Sequence, residues 1–113
     1  MTATNLNLTI EQGATFSQVV NIGAAYVGVT PTGSIRDKFG GTKLTDLTCS
    51  AVSAGGDTTI SLTATITAGL SAPNALPSER DAAIGVWDLE TIVTATVVRH
   101  RQGKVILSRE ATT

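Results

Sequence analysis

The chain has 113 residues, of which 42% are hydrophobic and only 15% charged, against roughly 25% charged in typical soluble domains. That length serves one domain with a single core and is too short for two. A formal net charge of −1 leaves no electrostatic footprint for nucleic acid, the lone Cys49 excludes an internal disulfide or a multi-cysteine metal site, and no apolar run reaches the roughly 18 residues a membrane span needs.

Threonine fills part of the gap left by charge, at about one residue in six. Mean hydropathy is positive, so the surface is poorly suited to a free, concentrated monomer and is expected to be covered by partners. Met1 leads into TATNLNLTI without a charged or long apolar stretch, so no secretory signal is expected.

Taken in order, Leu6, Leu8 and Ile10 alternate with Asn5, Asn7 and Thr9, which predicts a first strand. Glu11-Gln12-Gly13 is a turn. Residues 15–22 form the next strand, with Phe16, Val20 and Ile22 on one face; Gln18 interrupts that face and is expected near a sheet edge or bonded to backbone. Residues 23–31 are a short connection. Residues 32–38 follow as a strand with Ile35 inward and Arg36 and Lys38 outward. In 43–52, Leu44, Leu47 and Cys49 are the expected inward residues, Cys49 as a small buried hydrophobe. Ala54-Gly55-Gly56-Asp57 signals a hairpin turn. It leads into 58–66, where Ile60, Leu62, Ala64 and Ile66 alternate with Thr and Ser as the best strand in the chain. Thr67 is placed as the N-cap of a single helical turn over 67–70. Residues 71–83 are the longest irregular stretch.

The last third, 85–110, reads as a strand, a tight connection, a second strand, and a third beginning at a glycine. Trp87 and Leu89 share one face while Asp88 and Glu90 share the other. Trp87, the only tryptophan, is expected to be the group around which the core closes. With seven to eight short antiparallel strands spaced by Gly, Pro and Asn turns and no useful amphipathic helix, the chain reads as all-β. A single β-sandwich of immunoglobulin-like architecture over residues 1–113, with short polar terminal arms at 1–5 and 110–113 expected to order on assembly, is favoured over a small barrel.

The inventory of reactive groups is thin. His100 is the only histidine and lies between Arg99 and Arg101, whose charges oppose its protonation; it is expected to be an exposed strand-end residue. Asp88 and Glu90 share a strand face, whereas paired catalytic carboxylates flank a cleft, so they are expected to form a charged outer face pairing with Arg99 or Lys104. Arg99, His100, Arg101 and Lys104 read as a solvated turn, or else as a site for an acidic partner surface. Gly40-Gly41 and Gly55-Gly56 match no phosphate-loop spacing. No catalytic, cofactor-binding or metal-ligating residue is assigned.

Three stretches are familiar as an ordered set: Asn7-Leu8-Thr9-Ile10-Glu11-Gln12-Gly13-Ala14-Thr15-Phe16, then Gly33-Ser34-Ile35-Arg36-Asp37-Lys38-Phe39-Gly40-Gly41, then Gly85-Val86-Trp87-Asp88-Leu89-Glu90 with Arg101-Gln102-Gly103-Lys104-Val105-Ile106-Leu107-Ser108. Across nearly the whole chain this order resembles small virion proteins of tailed bacteriophages that serve as tail or baseplate components. Trp87 stands where those proteins more often have Tyr, and Ala111 where they often have Val. The resemblance implies a non-enzymatic structural role in a virion assembled in the bacterial cytoplasm, a β-sandwich, and no cofactor. The expected partners are other phage structural proteins and further copies of the chain, with neither nucleic acid nor membrane.

Two other roles fit the same residues: a head decoration protein, and a carbohydrate- or receptor-binding module using Tyr26 and Phe39 as an aromatic platform. The expected partner contacts are Arg36, Lys38, Leu76, Arg99, Arg101 and Lys104. The 71–83 loop is expected to dock through Leu70, Leu76 and Ile84.

Overall fold

The computed structural model describes residues 4–73 and 75–109. The C-terminal arm with Ala111, and the first three residues of the N-terminal arm, lie outside the described residues. In chain order the strands are β1 (Thr4–Asn5), β2 (Leu8–Glu11), β3 (Phe16–Asn21), β4 (Thr32–Arg36), β5 (Lys43–Cys49), β6 (Asp57–Leu62), β7 (Asp81–Val93) and β8 (Thr96–Ser108); a short helix α1 (Ala64–Ala68) follows β6, and a 3₁₀ turn (Ala24–Tyr26) follows β3.

Hydrogen bonding runs β1-β8-β7-β4-β5-β6-β3, with β2 also on β8. The all-β expectation holds. The arrangement is a curled half-barrel, and its strands are mixed instead of wholly antiparallel, because β1 and β2 both pair parallel to β8. β5 links the two parts of the sheet. One part of that strand pairs with β4 from Lys43 to Leu47, while Thr48 and Cys49 pair with β6. One strand therefore serves two ladders in succession, and two separate hydrogen-bonded layers are not distinct.

The concave side is filled by Leu8, Ile10, Ile35, Ile60, Trp87, Leu89, Val105 and Leu107, all at most 1% exposed, with Phe16, Val20, Ile22, Leu47, Val52, Leu62 and Leu70 around them. Period-2 alternation delivers most of these side chains, since a buried face recurs at every second residue of a strand. Gln18 lies half-buried on β3, the terminal strand of the sheet, as its interruption of the apolar face implied.

The last third differs from the sequence reading. It is one hairpin of two strands of 13 residues each, turning at Thr94 and Ala95, whose φ angles are 48° and 63°. Gly103 begins no new strand. It stands in mid-β8 opposite Trp87, where the main chain of Leu6 passes so close that a Cβ would collide with the Leu6 carbonyl oxygen and lie 2.7 Å from its carbon. The same carbonyl accepts a hydrogen bond from Trp87 Nε1 at 2.6 Å. Leu6 N–H donates to Gln102 O at 2.8 Å, and Lys104 N–H to Asn7 Oδ1 at 3.0 Å. The break between β1 and β2 is thus pinned across a glycine. Thr4 and Asn5, expected in a polar arm, are part of that ladder.

Three smaller readings are corrected. Ala64 and Ile66 belong to α1, not to a strand, because Thr63 accepts from Ile66 N–H at 3.3 Å and caps a helix there. Thr67 is a buried residue within that helix, its hydroxyl 2.7 Å from Ala14 O and 3.1 Å from Ala64 O. Leu44 is 42% exposed, where it was expected inward; the β4–β5 register shifts between Ile35 and Arg36, near its end of β5. Cys49 is half-buried against the core.

Gly103→Ala is expected to destabilise the fold by about 3 kcal/mol or more, because the clash is with backbone. Gly55→Ala, which meets nothing within 4 Å, should change stability by less than about 0.5 kcal/mol. Urea unfolding followed through the emission of Trp87 reads both.

Candidate functional site

Among the described residues, no group of three or more His, Cys, Asp or Glu side chains is placed to hold a metal ion. Burial raises the Cys49 thiol to about 11, so it stays protonated near neutrality and is not a ready nucleophile.

His100 overturns its expected exposure. The β7–β8 register shifts between Leu89 and Glu90: Leu89 opposes Arg101 while Glu90 opposes Arg99, leaving His100 as the extra residue of a bulge. Bulged backbone re-aims a side chain, and here it turns the imidazole inward to 9% exposure. Its Nε2 lies 2.7 Å from the buried Thr91 Oγ1, and Tyr26 meets the ring edge-on with centroids 4.5 Å apart. Burial and then the charge of Arg101 hold its pKa below the ordinary 6.5.

The six expected contact residues do not form one site. Lys38 and Lys104 are exposed on the rim of a groove of about 560 Å³ lined by Phe39, Leu44, Pro73, Ile84 and Val86. Arg99 and Arg101 line a cleft of about 300 Å³ with Thr4, Asn21, Tyr26 and His100. Arg36, half-buried, donates to Gly41 O at 2.9 Å and borders a shallow polar trough of about 140 Å³ with Ser34, Lys43, Asp46, Asp88 and Glu90. Leu76 stands apart, 64% exposed. The basic cluster is therefore no turn: its members are spread along β8.

Arg99 pairs with Asp88 at 3.7 Å, the cross-hairpin pairing expected of that carboxylate, though an exposed pair of this kind contributes little. Arg101 acts as a clasp. Its guanidinium donates to His100 O at 2.7 Å and to Asn21 O, tying β8 to the end of β3 across the open side of the half-barrel.

The 71–83 loop is shorter than expected, because β7 begins at Asp81. Arg109 donates to the carbonyls of Leu76 and Glu79 at 2.9 and 3.0 Å, and Glu79 Oε1 accepts from Leu76 N–H at 2.7 Å. Of its three expected anchors, Leu70 is buried and Ile84 packs against the core, which leaves Leu76 as the one presented to solvent. Tyr26 and Phe39 line different clefts, and Tyr26 is half-buried against the core, so the two rings do not assemble a common platform.

Sequence reasoning missed the hairpin tip, where Ile92, Val93 and Val97 are 59%, 43% and 56% exposed. The signal was present as eight uncharged residues, 91–98, but these read as ordinary strand interior. No protein-family model matches the chain, and no curated protein matches it.

Because folding holds His100 neutral, the unfolded chain takes up a proton more readily. Stability is then fully present above the ordinary pKa of 6.5 and falls as pH drops through and below it. Melting temperatures from about pH 7.5 to 5.5 should decline more steeply for the natural chain than for His100→Gln, with the curves parallel if the imidazole does not titrate.

Proposed function

We propose that the chain is a non-enzymatic structural component of a tailed bacteriophage virion, a tail or baseplate adaptor that joins larger components through strand edges and termini. The ordered set of motifs from Asn7 to Ser108 carries this reading. Their spacing falls on positions that organise the fold: the Gly13 turn with φ of 83°, the β4 strand, and the Trp87–Gly103 crossing.

The surface supports a role in assembly. On a chain with only 15% charged residues, Val19, Phe39, Leu44, Leu76, Ile92, Val93 and Val97 are all exposed, and neighbours in a particle cover such surface. β3 ends the sheet with Val19 60% exposed on an open edge, which suits pairing with another chain. The sandwich description belongs to this proposal: β3, β6 and the end of β5 act as a second layer hinged at β5. Partners are other virion proteins and further copies of the chain, with no cofactor and no nucleic acid.

Head decoration uses the same kind of surface and differs in copy number. Quantitative mass spectrometry of purified virions against the major capsid protein is expected to give a few to a few tens of copies. Hundreds would move the protein to the head surface, and absence from the particle would overturn the virion reading altogether.

A further inference from the structure

The β7–β8 hairpin carries two exposed apolar features at different points along its length. Its far end, 91–98, has no charge and exposes Ile92, Val93 and Val97. The turn there is built from Thr94 and Ala95 at positive φ, a conformation that Asn or Gly adopts at lower cost. Nearer its base, Ile84 and Val86 line the groove of about 560 Å³ together with Phe39 and Leu44, and the exposed Lys38 and Lys104 border it.

The tip cannot fill its own groove. Val86 and Val93 are seven residues apart on one strand, roughly 23 Å at about 3.3 Å per residue, and the ladder to β8 between them holds the hairpin extended. An apolar knob and an apolar hollow on the same rigid element are complementary only between molecules.

We propose that the hairpin tip of one copy seats in the Phe39–Leu44–Val86 groove of the next, giving a head-to-tail contact between identical chains. Such a contact is heterologous, so it closes into a ring or runs on as a filament. The tip offers three exposed apolar side chains, a small contact beside the about 1,200 Å² of a stable pairwise interface. The single contact is therefore weak, and a closed ring, in which every copy makes two contacts, holds by effective concentration. The eight uncharged residues favour this occupant, since burying them desolvates no charge. The inference rests on the assembly reading above and is tested separately from it, in solution and without the particle.

The test uses the full chain in two variants, both altered at exposed positions: a tip variant, Ile92→Ser with Val97→Ser, and a groove variant, Phe39→Ser with Leu44→Ser. Trp87 emission and circular dichroism confirm folding, and Val93→Ser or Phe39→Ala alone replaces any pair that does not fold. In sedimentation velocity the natural chain should grow with concentration, and each variant should lose at least tenfold in association. Unlabelled groove variant, whose tip is intact, is then titrated into ¹⁵N-labelled tip variant, whose groove is intact. Amide signals of Leu44, Ile84 and Val86 should shift saturably towards a one-to-one complex, and unlabelled tip variant should shift none of them. A natural chain that stays monomeric throughout overturns the proposal. So does one that associates while the mixed variants leave those amides unmoved, which would place the contact tip to tip or on another surface.

Discussion

The fold depends on one close crossing, where the carbonyl of Leu6 lies over Gly103 and accepts the indole proton of Trp87. Trp87 is the largest side chain in the core and only 1% exposed, so its N–H must find a partner or carry an unpaid desolvation cost. The partner is main chain that belongs to neither β1 nor β2. By accepting from Trp87, Leu6 fixes the depth of the indole and the point at which the N-terminal strand breaks and resumes. Gly103 is the condition for both, and the parallel register of Leu8 with Val105 follows a few residues on.

A second constraint closes the open side. The sheet curls but does not complete a barrel, and a side-chain tie holds β3 at either end. Arg101 reaches from β8 to the Asn21 carbonyl at the end of β3. At the other end of β3, the buried hydroxyl of Thr67 on α1 meets Ala14 O at 2.7 Å. Between these ties no described strand pairs with the outer edge of β3. The cationic side chain read from sequence as a partner contact is therefore engaged in holding the half-barrel together.

Much of this was legible in the chain, and the rest fails for identifiable reasons. Leu8 and Ile10, Ile60 and Leu62, and Trp87 and Leu89 alternate with polar residues, and each of these pairs is buried. Ala64 and Ile66 continue that alternation into α1, since a few residues of period 2 do not by themselves distinguish strand from helix start; the Thr63 hydroxyl decides. The inward turn of His100 needs a bulge that arises only when β7 and β8 pair, and no local pattern announces one. The groove was invisible for a related reason. Lys38 and Phe39 come from one turn, Leu44 from β5 and Lys104 from β8, and only the pairing of β4 with β5 and β7, and of β7 with β8, brings them together. Parallel pairing of the first strands with the last has no signature in either segment.

That last pairing bears on how the molecule is made. Residues 8–11 find their ladder only on residues 105–108, almost a full chain length away. Closing so long a loop is entropically costly and slow, and β8, the template for the first strands, is synthesised after the other described strands. Leu8 and Ile10, fully buried in the finished domain, are without that shelter until residues 105–108 have been made. The nascent chain is therefore a waiting polypeptide, whose β2 finds its ladder only once β8 has been synthesised.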